Sequence, residues 1–170
     1  GSCIGPSIIH QFNTFVLKLD SNGDFVWVQA LSTTNGTDAN QITLDSNNDI
    51  IFSGTFLGTQ DLDPTAGTTT LTSQGAQDVY MIKLTSFGNF VYAKSFGSSS
   101  YDFSGPIATD ASNNIYLTGR FSSSTGDFDP NAGSVSLVNN GGSDVFIVKL
   151  NSTGNLLYAN SFGASSEDQI

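Results

Sequence analysis

The 170-residue chain has very few of the side chains on which catalysis and metal binding usually depend. Histidine, cysteine, methionine and tryptophan occur once each, and Glu167 is the only glutamate. Cys3 cannot form a disulfide or a thiolate metal site within this segment, because either needs at least two sulfurs. His10 has no second histidine with which to build a zinc site or a catalytic triad, and we expect it at the surface. This inventory argues against an enzyme.

Positive charge is equally scarce. Five basic side chains stand against 15 acidic ones, which gives a net charge of −10. This balance excludes a nucleic-acid binder that works by attraction to phosphates. No apolar run is long enough to span a bilayer, and the N-terminus lacks a basic region followed by an apolar one, so we expect no membrane insertion by this segment. With 38% hydrophobic residues, including 13 Phe, the chain can nevertheless form a packed core.

An internal repeat organises the sequence. Residues 78–97 match residues 144–163 at 12 of 20 positions, and residues 42–56 match residues 107–121 at an offset of 65. Between these blocks, DLDPTAG at 61–67 corresponds to DFDPNAG at 127–133, and residues 14–31 repeat part of the first block. The chain therefore holds about two and a half copies of one unit.

Each copy is predicted to be all-β. Short runs of Val, Ile, Phe and Tyr alternate with Asn-Gly and Asp-Ser-Asn clusters, which predicts antiparallel hairpins, and no segment has a helical pattern. In the last copy we place strands at 107–109, 114–121, 145–150 and 156–162, with a shorter one at 135–138. VYMIKL and VFIVKL are apolar on both faces, so both faces must be covered. Four-stranded blades of a β-propeller provide such cover, whereas tandem sandwiches of this size would be small.

The predicted domain organisation follows from the repeat. Residues 1–39 form a partial first blade with its outer strands, 40–104 a complete blade, and 105–170 a second blade and the start of the next. Because two and a half blades leave open edges and faces, we expect either a segment of a larger propeller or association of several copies. The glycines inside the second strand, Gly54 and Gly119, predict close approach of backbone.

The repeated motifs resemble a known family. The combination of DFDPNAG, GSDVFIVKL, the pattern GN-x-x-YA-x-SFG and IATDASNNIYLTGRF is similar to the SBBP repeat, a bacterial β-propeller repeat, from about residue 14 to residue 168. The resemblance implies a secreted or cell-surface bacterial protein, often large, in which the repeats form a non-catalytic propeller without an established common ligand. The first copy departs from the pattern, since GSCIGPSIIHQFN stands where the DxDP loop would lie, and the metal-site prediction does not extend to it.

The DxDP loops are the best candidates for a metal site. Asp61 and Asp63 in one loop, and Asp127, Asp129 and Asn131 in the other, place hard oxygen ligands at alternate positions, which Ca²⁺ prefers. The later bidentate Glu of a calcium loop is lacking. The alternative is that these carboxylates only cap turn amides. An enzyme would have to use the same paired carboxylates for glycoside hydrolysis, but neighbours on one loop are poorly placed to flank a glycosidic bond.

Other repeated polar residues are interpreted structurally. The clusters at 20–24, 45–49 and 110–114 are read as hairpin turns rather than metal sites, because Asx side chains bond their own backbone there. Lys18, Lys83 and Lys149 recur at one strand position, and we expect them to lie along the core and to pair with a carboxylate such as Asp78 or Asp144, rather than to bind a ligand. Trp27, equivalent to Tyr92 and Tyr158, is expected in the core or between blades rather than as a sugar platform.

Taken with the resemblance, these patterns predict a non-catalytic, acidic, extracellular or cell-surface β-propeller segment with a structural or adhesive role toward a protein or a glycan. Two alternatives stay open. One is a subunit that assembles edge to edge into a surface filament or layer, which the unpaired strands favour. The other is a calcium-dependent lectin that uses the DxDP loops. The expected partners are other parts of a longer chain or further copies of the chain itself.

Overall fold

The structure, a computed structural model, describes residues 14–169. Within that range it contains 14 β-strands and no helix, as the sequence predicts. The strands are β1 (Phe15–Leu19), β2 (Phe25–Ala30), β3 (Thr37–Leu44), β4 (Ile50–Phe56), β5 (Thr59–Asp61), β6 (Thr70–Thr72), β7 (Asp78–Leu84), β8 (Phe90–Ser98), β9 (Asp102–Thr109), β10 (Ile115–Phe121), β11 (Thr125–Asp127), β12 (Ser136–Val138), β13 (Asp144–Leu150) and β14 (Leu156–Phe162).

Each complete unit is a four-stranded antiparallel meander with a short hairpin inserted before its third strand. The second unit has the order β3-β4-β7-β8 and the inserted hairpin β5–β6, while the third has the order β9-β10-β13-β14 and the hairpin β11–β12. The first unit is represented by the antiparallel pair β1–β2, which matches the third and fourth strands of the others. The sequence-based boundaries at 40 and 105 fall inside β3 and β9.

Equivalent strands pair in the same register. Ile50 lies opposite Leu84 in the second unit, and Ile115 lies opposite Leu150 in the third. The hairpin formed by the last two strands carries a bulge beside the repeated lysine in all three units. Because a slip of one residue would turn every side chain to the opposite face, this shared register places equivalent side chains in equivalent surroundings.

The core lies between the units. All seven residues of β7 are buried, and they point alternately toward the two neighbours. Tyr80 and Ile82 pack in a cluster with Val16 of the first unit, whereas Met81 packs in a second cluster with Phe146 of the third. The prediction that both strand faces are covered is confirmed for the second unit. Each large side chain buried in this way contributes about 1.5–3 kcal/mol.

The inserted hairpin of the third unit joins the sheet of the second. β11 pairs with β8, with Gly126 opposite Ser98 and Asp127 opposite Gly97, so that six strands form one sheet in the order β12-β11-β8-β7-β4-β3. The sequence does not predict β11, because Thr-Gly-Asp has no apolar pattern. Its three residues form a strand only because they pair with β8 and β12. The predicted strands at 114–121, 145–150 and 156–162 are confirmed to within one residue.

The glycines of the second strand accommodate a neighbouring backbone, as expected. A Cβ atom on Gly54 would lie 1.6 Å from the carbonyl oxygen of Asp38, and one on Gly119 would lie 2.3 Å from the carbonyl oxygen of Phe103. Both glycines face the bulged first strand of their own unit. Any larger residue would force these two strands apart.

Candidate functional site

The hairpin turns are held by one repeated side-chain device. An oxygen of the first turn residue accepts hydrogen bonds from the backbone N–H groups two and four residues later, as Asp45 does from Asn47 and Asp49 at 2.8 and 3.0 Å. Asp20, Thr85, Asp110 and Asn151 do the same in their turns. The interpretation of residues 20–24, 45–49 and 110–114 as hairpin turns is confirmed.

The DxDP loops are positioned by the apolar residue between the two aspartates. Leu62 and Phe128 are fully buried in the inter-unit clusters. The Phe128 ring centroid lies 4.6 Å from that of Phe146 and 5.1 Å from that of Phe121. Because alternate residues of an extended segment point to opposite sides, the flanking carboxylates are directed away from the core.

In the first loop, both aspartates accept hydrogen bonds from their own segment. Oδ1 of Asp61 accepts from the N–H groups of Asp63 at 3.1 Å and Thr69 at 2.8 Å. Oδ1 of Asp63 accepts from the N–H and the hydroxyl of Thr65 at 2.8 and 2.6 Å. Gly67 completes the loop, since a Cβ atom there would lie 2.2 Å from Oδ2 of Asp63. One oxygen of each carboxylate therefore stabilises the turn.

The second loop repeats this arrangement and adds a link to the preceding unit. Oδ1 of Asp127 accepts from the N–H groups of Asp129 at 3.1 Å and Val135 at 2.9 Å, and Oδ1 of Asp129 accepts from the N–H of Asn131 at 3.0 Å. Nζ of Lys94 donates to Oδ1 of Asn131 at 2.7 Å. The amide oxygen that was predicted to bind a metal thus fastens the loop to β8.

The calcium prediction for these loops stays a prediction. The turn-capping alternative describes the contacts that Asp61, Asp63, Asp127 and Asp129 make, since each binds backbone N–H groups through Oδ1. Over residues 14–169, no three His, Cys, Asp or Glu side chains converge in a group that could hold a metal ion. Each loop offers a cation two carboxylates, one fewer acidic ligand than such a group requires.

Two of the three repeated lysines, Lys83 and Lys149, pair with turn carboxylates. Nζ of Lys83 lies 2.7 Å from Oδ2 of Asp45 and 3.3 Å from Oδ2 of Asp49, in a largely buried position. Burial raises the pKa of Asp45, but the hydrogen bonds from Lys83 and from the backbone N–H groups of Asn47 and Asp49 outweigh it and leave the pKa below its ordinary value.

The expectation that the lysines pair with Asp78 or Asp144 is wrong. Lys83 stands five residues along β7 from Asp78, a distance of about 16 Å in an extended strand. Lys149 pairs instead with Asp110 at 3.5 Å, and Nζ of Lys18 donates to the carbonyl oxygen of Ser86 at 2.6 Å. Lys83 and Lys149 therefore connect a strand to a turn of the same unit, and Lys18 connects the first unit to the second. These contacts agree with the interpretation that the lysines have a structural role.

Two buried aspartates lie where the second unit joins the third. Asp78 is 1% exposed and Asp102 is fully buried. Oδ2 of Asp78 accepts from the N–H of Gln74 at 2.9 Å, and Oδ2 of Asp102 accepts from the N–H of Ser98 at 2.6 Å. Gly97 gives room to Asp78, because a Cβ atom there would lie 2.3 Å from its carboxyl carbon. Asp78 and Asp102 therefore form a buried polar cluster at this junction, close enough for the charge of Asp78 to act on Asp102.

Burial makes both of these carboxyl groups weaker acids than an ordinary aspartate. It raises the pKa of Asp78 to about 6, against the hydrogen bonds from Gln74 and Gly75. Burial also raises the pKa of Asp102 to about 7; hydrogen bonds from Ser98 lower it and the charge of Asp78 raises it further. Sequence reasoning did not single out Asp102. The repeat contains a signal for it, because an aspartate recurs at the equivalent position in the next copy. There Asp168 accepts a hydrogen bond from the N–H of Ala164, four residues earlier, as Asp102 does from Ser98.

Trp27 lies between two units, as predicted. A Cβ atom on Gly88 in the next unit's turn would lie 3.0 Å from the Trp27 ring, and the indole Nε1 donates to the carbonyl oxygen of Ser86 at 3.4 Å. Cys3, His10 and the irregular part of the first copy lie outside the described residues. In the part of the chain that is described, no helix is long and apolar enough to cross a membrane.

Comparison with known proteins gives one repeat-containing relative. No family model matches the chain. An uncharacterized WD repeat-containing protein, L264, of Acanthamoeba polyphaga mimivirus is 26% identical over 120 residues, and the match covers 62% of this chain but 9% of that protein. The resemblance to SBBP repeats stays a prediction. Together with the strand order and the burial between units, the WD repeat relative identifies the chain as an all-β protein with a fold of the β-propeller type.

Proposed function

We propose that the chain is a non-catalytic β-propeller segment that presents a rigid surface to a protein or a glycan, in a structural or adhesive role. The observation that carries this proposal is the repetition of the polar residues. Asp61 and Asp127 accept equivalent hydrogen bonds in successive units, as do Asp63 and Asp129. An active site is usually a singular departure from a scaffold, whereas here the candidate carboxylates belong to the scaffold itself.

The similarity to a WD repeat-containing protein supports a repeat-built, non-catalytic interaction domain. The relative is far longer than this chain, so the partner is proposed here from surface chemistry alone. The surface is rich in Ser, Thr, Asn and Gly and carries a net charge of −10. Such a surface offers many hydrogen-bonding groups and repels other polyanions, which favours an uncharged glycan or a basic protein surface.

An extracellular or bacterial cell-surface location belongs to the same proposal. Its support is the resemblance of the repeats to SBBP repeats and the low content of charged side chains, 12% of the sequence. The hairpin turns are held by hydrogen bonds to their own side chains, as at Asp45, and such order opposes the local opening that proteases need.

The test is a binding screen with defined probes. The 170-residue chain is applied to a glycan array and to purified extracellular-matrix proteins, with heat-unfolded chain as the control. We expect saturable binding of the folded chain to at least one probe, and mass spectrometry of the recovered probe to show no change in mass. Absence of binding to every probe, or cleavage of a bound probe, would overturn the proposal.

A calcium-dependent lectin is the variant of this function that uses the DxDP loops. The same screen separates it when EDTA is included and when Asp127→Asn is compared with the wild-type chain. Glycan binding that is lost under both conditions assigns the lectin role to these loops. Glycan binding that survives both places the recognition surface elsewhere on the propeller segment.

A further inference from the structure

A small polar pocket opens at one end of the second unit. Its volume is about 170 Å³, and it lies where β3 begins and β4 ends. The polar residues around it are Asn35 in the linker between β2 and β3, Asp38 in β3, Thr55 in β4 and Gln77, which precedes β7. Every described residue that lines the pocket belongs to the second unit or to the linker that leads into it.

The third unit carries larger side chains at the equivalent positions. Asp38 pairs with Thr55 across β3 and β4, and the corresponding pair across β9 and β10 is Phe103 and Arg120. The guanidinium carbon of Arg120 lies 5.1 Å from the centre of the Phe103 ring. The depression beside this stacked pair is lined by no carboxylate among the described residues. The pocket with Asp38 is therefore a departure from the repeat.

A second departure from the repeat fixes the shape of the pocket. Gln60 in β5 is 3% exposed, whereas its equivalent in β11 is Gly126. Nε2 of Gln60 donates to the carbonyl oxygen of Leu57 at 2.9 Å, and Oε1 accepts from the N–H of Thr34 at 3.1 Å. The side chain thus ties the β4–β5 connection to the β2–β3 linker, which form two of the walls. A pocket held in this way loses little conformational freedom when a ligand enters.

The polar groups of the pocket can both accept and donate hydrogen bonds. Within residues 14–169, no group donates to the carboxylate of Asp38, and both Asp38 and Asn35 are exposed. Nε2 of Gln77 donates to Oγ1 of Thr55, which leaves the hydroxyl hydrogen of Thr55 and the amide oxygen of Gln77 available to a ligand. Leu57, 46% exposed, adds an apolar contact surface.

This combination of groups matches a neutral sugar ring. Each hydroxyl group of a pyranose donates one hydrogen bond and accepts others, so it can use a carboxylate, two amides and a hydroxyl together. The volume is below the roughly 300–1,000 Å³ of pockets for drug-sized ligands, which fits a single ring. Asp38 and the net charge of −10 repel an anion, and an ammonium ion would leave the donors Asn35 and Thr55 unused.

We propose that this pocket binds one neutral pyranose unit of a glycan, with Asp38, Asn35 and Gln77 as its hydrogen-bonding residues. The inference rests on the proposed function and deepens it, because it assigns glycan recognition to a particular place. The repeated polar residues build the scaffold, whereas a binding site is expected where one copy departs from the others. Asp38 is the only acidic residue among the described residues that line the pocket, so binding is expected to survive EDTA.

The first test titrates the 170-residue chain with the methyl glycosides of glucose, galactose, mannose and N-acetylglucosamine, observed by saturation-transfer NMR. We expect saturable binding of at least one glycoside at about millimolar concentration, since a single ring makes few contacts. Asp38→Ala removes the carboxylate and should weaken this binding at least about tenfold. Asp24→Ala, at an exposed position in the β1–β2 turn, is the matched control and should bind like the wild type.

A second variant copies the third unit. Asp38→Phe introduces the residue that stands at the equivalent position 103, so the β structure should be kept while the pocket is occupied by the ring. We expect this variant to lose glycoside binding. Circular dichroism and urea unfolding of both Asp38 variants verify that any loss of binding is not a loss of fold.

Three results would overturn the inference. One is a folded wild-type chain that binds none of the four glycosides. Another is glycoside binding that both Asp38 variants retain unchanged. The third is competition by methylammonium chloride at the same concentration as the glycosides, which would identify the pocket as a cation site.

The glycan array and the matrix proteins separate this inference from the proposed function. Glycan binding that the Asp38 variants keep, or binding to a matrix protein alone, would remove the pocket assignment and leave the proposed function standing. Absence of binding of the wild-type chain to every glycan and every matrix protein would remove both. Glycan binding that Asp38→Ala and Asp38→Phe abolish, and that Asp24→Ala and EDTA leave intact, is the expected result.

Discussion

The stability of the fold is expected to fall as the pH rises from about 4 to about 7, because of Asp78 and Asp102. Both side chains are buried where the second unit joins the third. Burial raises the pKa of Asp78 from 3.8 to about 6 and that of Asp102 from 3.8 to about 7. In the unfolded chain both carboxyl groups lose their protons near pH 4, while in the folded chain they keep them to higher pH.

The sign follows from proton linkage. Between these pKa values the folded state binds more protons than the unfolded state, so the free energy of unfolding decreases as the pH rises. The stabilisation is fully present below about pH 4 and is lost once the pH has passed the folded-state values. Each pKa unit corresponds to about 1.4 kcal/mol, so Asp102 alone contributes on the order of 4 kcal/mol. Asp45 and Asp110 have lowered pKa values, and their opposite effect falls below this window.

The assay is urea unfolding at a series of pH values between 4 and 8, at one fixed protein concentration. Asp102→Asn keeps an oxygen that accepts from the N–H of Ser98 but removes the ionisation, so the variant should show a flatter profile and higher stability than the wild type at pH 8. Asp24→Asn, at an exposed turn position, is the control and should follow the wild-type profile. A flat wild-type profile, or parallel profiles for wild type and Asp102→Asn, would refute the reasoning.

Three further predictions concern single side chains. Lys83→Met leaves buried Asp45 without its cation and should lower the free energy of unfolding by about 3–5 kcal/mol. Arg120→Ala removes a more exposed ion pair and should lower it by about 1 kcal/mol or less in the same urea assay. Equal losses for the two variants would contradict this. Gly97→Ala should destabilise the fold because its Cβ atom meets the carboxylate of Asp78. In a double-mutant cycle with Asp78→Ala, the two losses of unfolding free energy should be less than additive. Strict additivity would exclude that contact. Calcium should bind the DxDP loops only at about millimolar concentration, because each loop supplies two carboxylates. Calorimetric titration of the wild type and of the double variant Asp63→Asn/Asp129→Asn, which removes one carboxylate from each loop, tests this, and binding that the double variant retains unchanged would assign the metal to another place.

The sequence predicts the elements of this fold well because the units repeat. A hydrophobic pattern that appears twice, at an offset of 65 or 66, gives the strands β10, β13 and β14 nearly residue by residue. The turns are equally predictable, since Asp45 and its equivalents bond to the backbone of their own hairpins, and such contacts depend on local sequence alone.

Contacts between distant segments could not be predicted in this way. The partner of Lys83 depends on which turn lies beside the end of β7, and that is decided by sheet order rather than by sequence spacing. Asp102 resembles any polar residue at the start of a strand until the sheets of two units bury it. β11 is a strand only through its pairing with β8, so its three residues carry no periodic signal of their own.

β11 belongs to the third copy of the sequence repeat, but its pairing with β8 places it in the sheet of the second unit. The boundaries of the sequence repeats therefore do not coincide with the boundaries of the sheets. At the other junction the equivalent hairpin β5–β6 forms a separate two-stranded sheet. The second and third units are therefore joined by main-chain hydrogen bonds, which do not depend on particular side chains, in addition to the side-chain packing between them.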